Sequence, residues 1–264
     1  MKITFYQPVH PILKKYIEGY YFIERDDKDE SVRYLTFPDN YFIISACQNV
    51  ALIQDRGWVE IYRSLEENLI VDFVFRCSVP TEIFYQQSVD ELTLYFKPLG
   101  IYHFFDADDC EALEENIHLS GFKEISNAIF NEPNRKKQIE MLEEYWLSKF
   151  KQKDLPLAYA ILNDFETELS IEEIAAKNNI TRQYVNKISK RYLAKPASEF
   201  RKIQRFRKVL ISNKKVRSLT ELSYENLFYD QSHFIKDFKE LTKINPRKFF
   251  ENVDIEQNNI WLFI

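Results

Sequence analysis

Residues 170–191, SIEEIAAKNNITRQYVNKISKR, predict two short helices separated by a tight turn. Ser170 precedes an acidic first turn, which suits the N-cap of a helix. Asn178 and Asn179 end that helix, because asparagine tolerates the left-handed conformation better than most residues do. Thr181 is then placed to cap a second helix. Two short helices joined by such a turn are typical of the helix-turn-helix unit.

The second of these helices has two chemically different faces when its residues are placed at intervals of about 100°. One face is apolar and carries Val185, Ile188 and Tyr192. The opposite face carries amides and cations that can bind base edges or phosphates, namely Gln183, Asn186, Lys187 and Lys190. Arg182 and Arg191 flank that face and suit phosphates. An ordinary polar surface helix would carry similar residues, so this alternative stays open on the pattern of one helix.

The same construction recurs further along the chain. Residues 219–223 predict a short helix, and Asp230 predicts the N-cap of the next one. The apolar face of that next helix consists of Phe234, Phe238 and Leu241. Its opposite face carries Ser232, Lys236, Lys239 and Lys243. His233 lies on the flank, and we expect it to face DNA or solvent because the sequence offers no further ligands for a metal.

Residues 196–213 predict a helix that connects the two units, since Pro196 suits the first turn of a helix. A helix of this length spans roughly 27 Å. It could hold two recognition helices about one DNA turn apart, ~34 Å, so that both enter successive major grooves. Two such units on one connector are a stronger indication of DNA binding than either unit alone.

The charge of the chain changes sign between its two halves. Residues 1–154 carry 17 basic and 27 acidic side chains, whereas residues 155–264 carry 19 basic and 14 acidic ones. Within residues 181–217 the count is 13 basic side chains against Glu199 alone. The basic stretch is where a polyanion could dock, although a solvated helical face is the alternative on charge alone.

The first hundred residues predict an antiparallel β-barrel or sandwich. The strands are expected at 41–46, 58–62, 69–75 and 92–97, and the alternation in the last segment predicts a half-buried strand. Residues 101–150 follow a helical pattern with a stripe that packs on the barrel or forms a dimer interface, Ile139, Leu142, Trp146 and Phe150. The apolar residues 260–264 are expected to pack on the protein.

The second unit resembles the AraC/XylS family of bacterial regulators. Residues 228–234 (FYDQSHF), Phe238 with Lys239, Asn245 with Pro246, and Phe249 resemble the family signature, and Ile174, Ala175, Ile180, Thr181, Val185, Pro196 and Arg205 add to it. The resemblance covers about residues 155–250. It implies that Gln183, Asn186 and Lys187 in the first unit, and Gln231, Ser232, His233 and Lys236 in the second, approach DNA.

Some positions depart from the family pattern. Leu227 stands where the family has glycine, and because leucine is unfavourable at positive φ we expect a reshaped turn there. Ala194 stands where glycine is common, and Ser189 where an aromatic residue is expected. Residues 11–13, 16–17, 20–21, 37–39 and 96–100 resemble the cupin-like sensing domain that precedes many such regulators, which implies ligand sensing, dimerisation or both.

Together these features predict a two-domain α+β chain. We expect a β-rich cupin-like sensing domain at 1–105, a helical linker or dimerisation segment at 106–154, a double helix-turn-helix domain at 155–252, and an apolar tail at 253–264. The expected function is regulation of promoters, with double-stranded DNA and RNA polymerase as partners. A small-molecule effector and a homodimer are left open.

The residues speak against several other classes. Only four histidines occur, without an H-x-H pair, and the sequence lacks the GxSxG, P-loop, GxGxxG and HExxH motifs, so we expect no enzyme, metal or cofactor. Three scattered cysteines and no apolar run long enough to cross a bilayer indicate a cytoplasmic protein. The alternative is a regulator that acts mainly through protein contacts, with DNA binding weakened by the departures at positions such as Leu227.

Overall fold

The computed structural model describes residues 2–26, 30–115, 121–212, 231–252, 254–256 and 259–263. We call residues 2–149 the N-terminal part and residues 156–252 the helical part. The mixture of sheets and helices confirms the predicted α+β class. The strands are β1 Lys2–Tyr6, β2 Ile17–Glu24, β3 Val32–Thr36, β4 Phe42–Gln48, β5 Val50–Asp55, β6 Trp58–Arg63, β7 Leu69–Val74, β8 Thr81–Tyr85, β9 Asp90–Phe96, β10 Asp254–Glu256 and β11 Asn259–Phe263.

The described strands form two sheets that share a core. The first sheet has the order β1-β2-β9-β4-β7 and the second has the order β10-β11-β3-β8-β6-β5. Residues from both sheets pack together between them, including Tyr21, Tyr34, Val50 and Tyr85. The prediction of an antiparallel barrel was wrong in one pairing, since β6 and β8 run parallel. The chain leaves the second sheet after β6, forms β7 in the first sheet, and returns as β8.

Strand β9 corrects another prediction. The alternation of residues 92–97 predicted a half-buried strand, yet both faces of β9 are covered. Leu94 is fully buried beneath the helices, while Thr93 is 1% exposed on the opposite face. The reason is topological, because β9 lies between β2 and β4 in the middle of its sheet. A polar residue such as Thr93 is tolerated there because its hydroxyl donates a hydrogen bond to the buried Glu91 carboxylate at 2.7 Å.

The apolar C-terminal tail joins the sheet of the N-terminal part. Strand β11 pairs antiparallel with β3, in the register Trp261 to Thr36 and Phe263 to Tyr34. Strand β10 then pairs with β11 as a hairpin. The tail was predicted to pack on the protein, and the structure shows that it pairs with β3. The edge of a sheet offers backbone donors and acceptors that a further strand can satisfy.

Helices cover the outer face of the first sheet. They are α1 Pro11–Tyr16, α2 Cys110–Glu115, α3 Phe122–Asn131 and α4 Arg135–Lys149, with a 3-10 turn at Gly100–His103. The stripe of α4 packs on this sheet, since Trp146 is 1% exposed and lies 5.0 Å from the ring centre of Phe96. Leu142 is fully buried beside it. These two side chains are covered within the chain, whereas Ile139 and Phe150 of the same stripe are partly exposed, so the dimer interface stays a prediction.

The helical part contains α5 Pro156–Asp164, α6 Ile171–Lys177, α7 Arg182–Leu193, α8 Ala197–Ser212, α9 Gln231–Thr242 and α10 Pro246–Asn252. The first unit, α6 with α7, forms as the sequence predicts. Ser170 and Glu173 make a reciprocal capping box, and Thr181 accepts a hydrogen bond from the Tyr184 amide at 3.2 Å. Asn179 takes the left-handed conformation in the turn, with a φ of 54°.

The second unit is described from Gln231 onward. Its predicted first helix at 219–223, the turn with Leu227 and the N-cap Asp230 lie outside the described residues. Helix α9 matches the predicted second recognition helix, and α8, which spans 16 residues, matches the predicted connector. At 1.5 Å per residue α8 is roughly 24 Å long.

Candidate nucleic-acid interface

The predicted DNA-facing side of α7 is exposed in the structure. Gln183, Lys187 and Lys190 are exposed, whereas Val185 is fully buried and Ile188 is 8% exposed. The helical wheel therefore assigned the two faces correctly. Neither lysine forms an ion pair with another residue in the described part of the chain. Two uncompensated cations beside an amide make a surface that can bind phosphates and base edges.

Two other residues of α7 make contacts that the wheel could not show. The Oδ1 atom of Asn186 accepts a hydrogen bond from the Ala197 amide at 3.1 Å and so caps the start of α8. Paired recognition of adenine through both amide atoms of Asn186 is therefore not available in this arrangement. Arg182 pairs with Glu172 of α6 at 2.9 Å, and both side chains remain exposed to solvent.

Helix α9 presents a second basic face. Gln231, Ser232, Lys236 and Lys239 are exposed. Behind them, Phe234 is fully buried and Phe238 is 1% exposed. These rings pack with residues of α8 and α10, including Phe206 and Phe249. The buried side fixes the orientation of the helix, so its hydroxyl, amide and ammonium groups point into solvent.

His233 and Arg205 share one carboxylate. The Nε2 atom of His233 lies 3.3 Å from Oδ2 of Asp237, and the guanidinium of Arg205 lies 3.4 Å from the same oxygen. Asp237 is 8% exposed, so this contact ties α8 to the second recognition helix below its surface. His233 is half-exposed on the flank of the face that the sequence predicts to meet DNA.

The outer face of α7 forms one wall of a groove of about 770 Å³. The opposite wall comes from the N-terminal part and includes Asp109, Glu111 and Arg76. Sequence reasoning missed this juxtaposition. A signal was present in the acidic residues 106–115, but the sequence does not show which distant element such a segment faces.

Buried polar contacts join the helical part to the N-terminal part. The guanidinium of Arg207 on α8 donates to the carbonyls of Pro38 at 2.7 Å and Phe37 at 2.5 Å, and lies 3.3 Å from Asp39. Lys195, which is 2% exposed, follows α7 in this interface. Burial lowers the pKa of Lys195 and raises the pKa of the Asp39 carboxyl, while their mutual attraction opposes both shifts.

A second cavity of about 400 Å³ lies between the N-terminal part and helices α5 and α8. Its charged lining contains cations and carboxylates in equal number, namely Lys15, Lys97, Arg207, Glu18, Asp39 and Glu166. Tyr41, Tyr159, Leu162 and Phe200 supply aromatic and apolar surface. Burial raises the pKa of the Tyr159 hydroxyl to about 12. Such a lining suits a small molecule with both polar and apolar groups.

The core between the two sheets is filled by side chains around Glu91, which is 3% exposed. Its carboxylate accepts hydrogen bonds from the hydroxyls of Tyr21 at 2.7 Å and Tyr85 at 2.6 Å. Burial, and then the Glu91 charge, raise the pKa of both tyrosines, so they remain protonated donors. A satisfied buried carboxylate of this kind stabilises the core and leaves a ligand little room there.

Within the described ranges, no three His, Cys, Asp or Glu side chains come together as they would around a metal ion. No disulfide joins the three cysteines, Cys47, Cys77 and Cys110. None of the helices described is both long enough and apolar enough to cross a membrane.

No family model matches the chain, and a sequence search finds no match among curated proteins. Solved structures similar to it include the 1.65 Å structure of ToxT from Vibrio cholerae, with 12% identity, a TM-score of 0.44, and coverage of 88% of this chain and 97% of that one. ToxT bound to (E)-4-(8-methylnaphthalen-1-yl)but-3-enoic acid shows 12% identity, a TM-score of 0.41, and coverage of 88% and 98%. ToxT bound to an unsaturated fatty acid shows 12% identity, a TM-score of 0.37, and coverage of 87% and 92%. With TM-scores below 0.5, these similarities carry no argument about this chain.

Proposed function

We propose that the chain is a DNA-binding transcription regulator of the AraC/XylS type. The observation that carries this proposal is a pair of helices, α7 and α9, each with a buried apolar face and an exposed face of amides, hydroxyls and lysines. Helix α8 lies between them in the sequence and packs against both. Surfaces of this chemistry bind phosphates for affinity and base edges for specificity.

The residues have distinct roles in this proposal. In the first unit, Gln183, Lys187 and Lys190 contact the major groove, Arg182 contacts phosphates, and Asn186 positions α8. In the second unit, Gln231, Ser232 and Lys236 contact bases or phosphates, and His233 and Lys239 contact the backbone. Promoter DNA and RNA polymerase are the proposed partners, the proposed location is the cytoplasm, and the domain limits at 105, 154 and 252 remain part of the proposal.

A small-molecule effector fits this scheme. The cavity of about 400 Å³ is lined by both the N-terminal part and the helical part. A ligand that binds better in one arrangement of the two parts would shift the population between arrangements. Dimerisation remains a further proposal.

The test is selection of the purified full chain on random duplex DNA, with the enriched pool retested at several salt concentrations. Two enriched boxes about one helical turn apart would support both units as readers of DNA. One box alone would mean that only one of the two units reads DNA and that the other is a positioning element. Folded protein that enriches no sequence at any salt concentration would overturn the proposal.

A pair of variants sharpens the selection. Lys187→Ala should reduce discrimination at one position of the first box by about 1–3 kcal/mol if its ammonium contacts a base. Lys137→Ala removes the same charge from an exposed position on α4 and should leave discrimination unchanged. Equal weakening on all sequences by Lys187→Ala would make this lysine a phosphate contact.

The candidate second function is regulation mainly through protein contacts. The specific observation in its favour is that α7 already faces the N-terminal part across the groove and that Asn186 is engaged by α8. In that case the affinity for DNA would be weak and would depend little on salt.

A further inference from the structure

The start of α2 lies in the most acidic segment near the helical part. Residues 106–115 contain six carboxylates among ten positions, namely Asp106, Asp108, Asp109, Glu111, Glu114 and Glu115. Asp109 and Glu111 line the groove of about 770 Å³ whose other wall carries Gln183, Lys187 and Lys190. Two carboxylates and one guanidinium, that of Arg76, therefore stand opposite the face of the first unit that is proposed to meet DNA.

Several contacts fix α2 in this place. Oδ1 of Asp109 accepts a hydrogen bond from the Ala112 amide at 2.9 Å, which orients the carboxylate. Its Oδ2 lies 3.4 Å from Nε of Arg191 at the end of α7. The hydroxyl of Tyr102 lies 3.0 Å from the sulfur of Cys110 and 3.4 Å from the carbonyl oxygen of Arg191. The ring of Tyr102 meets the ring of Tyr192 edge to face, with 5.6 Å between their centres.

A recognition helix enters the major groove only when the side chains of its outer face are free to reach bases and phosphates. The major groove is about 12 Å wide and 8.5 Å deep, and phosphates line both of its edges. Packed helices lie roughly 8–10 Å apart. In this arrangement Asp109 and Glu111 line the same groove as Lys187 and Lys190, so a sugar-phosphate strand that entered the groove would meet carboxylates of the same charge as its phosphates. Arg191, which suits a phosphate, is meanwhile paired with Asp109.

We infer that the structure is a self-inhibited arrangement of the first unit, in which the acidic start of α2 excludes DNA from the outer face of α7. This inference rests on the proposed function, because it concerns the regulation of the same surface. DNA binding by the first unit requires α2 to separate from α7. The apparent affinity through α7 is then the intrinsic affinity multiplied by the fraction of molecules in which the two helices are apart.

The test compares the full chain with Asp109→Asn/Glu111→Gln. These changes remove two charges, keep the side-chain shapes, and leave an asparagine that can still cap α2. On a mixed-sequence duplex at low salt we expect the double variant to bind about tenfold more tightly. The arrangement with α2 against α7 loses its ion pair, and the arrangement with α2 apart from α7 loses the repulsion between the two carboxylates and phosphate. Glu66→Gln/Glu67→Gln makes the same charge change at exposed positions between β6 and β7, and should alter affinity less than about twofold.

Lys187→Ala added to each background shows whether the gain arises at α7. We expect this change to weaken the double variant about tenfold, but the natural chain only about twofold, since α9 supplies most of its binding while α7 is covered. An affinity of the double variant equal to that of the Glu66→Gln/Glu67→Gln control, or an equal effect of Lys187→Ala in both backgrounds, would overturn the inference alone. Folded proteins that all fail to bind duplex DNA would overturn the proposed function, and this inference with it.

Discussion

The N-terminal part holds the two helix-turn-helix units by different kinds of contact. Toward the first unit the contacts are mixed, because the Arg191–Asp109 pair at 3.4 Å lies beside the edge-to-face rings of Tyr102 and Tyr192 and an apolar cluster that the two parts share. Toward the second unit the central contact is apolar, because the fully buried ring of Phe37 packs 4.9 Å from the ring centre of Phe249. Partly exposed ion pairs are worth at most about 1 kcal/mol, whereas removing a buried Phe ring costs about 3–5 kcal/mol.

The difference indicates which contacts open at the lower cost in free energy. A polar contact can open in response to salt, protonation or a ligand, because water replaces the lost partners at little cost. Releasing Phe37 would expose a whole aromatic ring together with the phenylalanines of the second unit. We therefore propose that the ion pair at the edge of the first unit is the contact that opens, and that Phe37 anchors the second unit.

The largest expected effect tests the anchor. Phe37→Ala should lower the free energy of unfolding by about 3–5 kcal/mol, because it leaves a cavity among Phe206, Phe238 and Phe249. Urea denaturation followed by circular dichroism measures the change. Leu65→Ala is the control, since Leu65 is fully exposed and should change stability by less than about 0.5 kcal/mol. A loss below about 1 kcal/mol for Phe37→Ala would contradict the claim that Phe37 anchors the second unit more strongly than the Arg191–Asp109 pair holds the first.

The next effect separates positioning from DNA contact within α7. Asn186→Ala should cost about 1 kcal/mol in stability, because the cap on the Ala197 amide is lost. Gln183→Ala, on the same helix and exposed, should cost less than about 0.5 kcal/mol. Both variants are measured by urea denaturation. Equal stability of the two would show that Asn186 does not act as a cap.

A smaller effect compares the ends of the two recognition helices. Each helix is followed by a non-glycine residue at positive φ, Ala194 at 58° and Lys243 at 60°. Lys243 is exposed, so Lys243→Gly should stabilise the fold by roughly 0.5–1 kcal/mol. Ala194 is 7% exposed, and the loss of its buried methyl group, about 0.8 kcal/mol, should cancel the same gain in Ala194→Gly. Thermal denaturation at one pH compares them, and an equal gain at both sites would contradict this explanation.

The smallest effect concerns protonation of His103, which contacts Tyr159 of α5. Nδ1 of the buried His103 accepts a hydrogen bond from the Lys153 amide at 3.1 Å, and its Nε2 lies 2.8 Å from the Tyr159 hydroxyl. Burial lowers the pKa of His103 below its usual 6.5. The unfolded state therefore binds the proton first, so this contribution to stability is complete above about pH 6.5 and is lost as the pH falls toward the lowered pKa.

His103→Phe isolates that contribution because phenylalanine retains a ring against Tyr16 and cannot be protonated. We expect the loss of stability between pH 7.5 and pH 5.5 to be smaller in His103→Phe than in the natural chain. Urea titrations at both pH values measure this difference. The same pH dependence in both proteins would show that protonation of His103 does not lower the stability of the fold.

Local signals in the sequence were sufficient for much of the fold. The caps Ser170 and Thr181 and the spacing of Val185 and Ile188 predicted α6, α7 and the exposed face of α7, because capping and helical periodicity depend on residues a few positions apart. The apolar, β-branched segments likewise predicted strands such as β6 and β7. The DNA-facing roles of the exposed residues stay predictions.

Features that depend on distant contacts could not be predicted. The alternation in β9 gave no sign that Thr93 would be covered, since its cover comes from the other sheet. The pairing of β11 with β3 joins opposite ends of the chain. A helical wheel shows that Lys187 is exposed, but not that Asp109 lies across a groove from it.

The most direct test of the account is the salt dependence of binding between the full chain and a duplex of mixed sequence. Each phosphate contact contributes a slope of about −0.9 to the plot of log affinity against log salt concentration. We expect a slope steeper than about −3, which Lys239→Ala should reduce by about 1 and Lys137→Ala should leave unchanged. Folded protein with a slope near zero, or with equal slopes for all three proteins, would contradict the claim that the basic helix faces of this chain grip DNA.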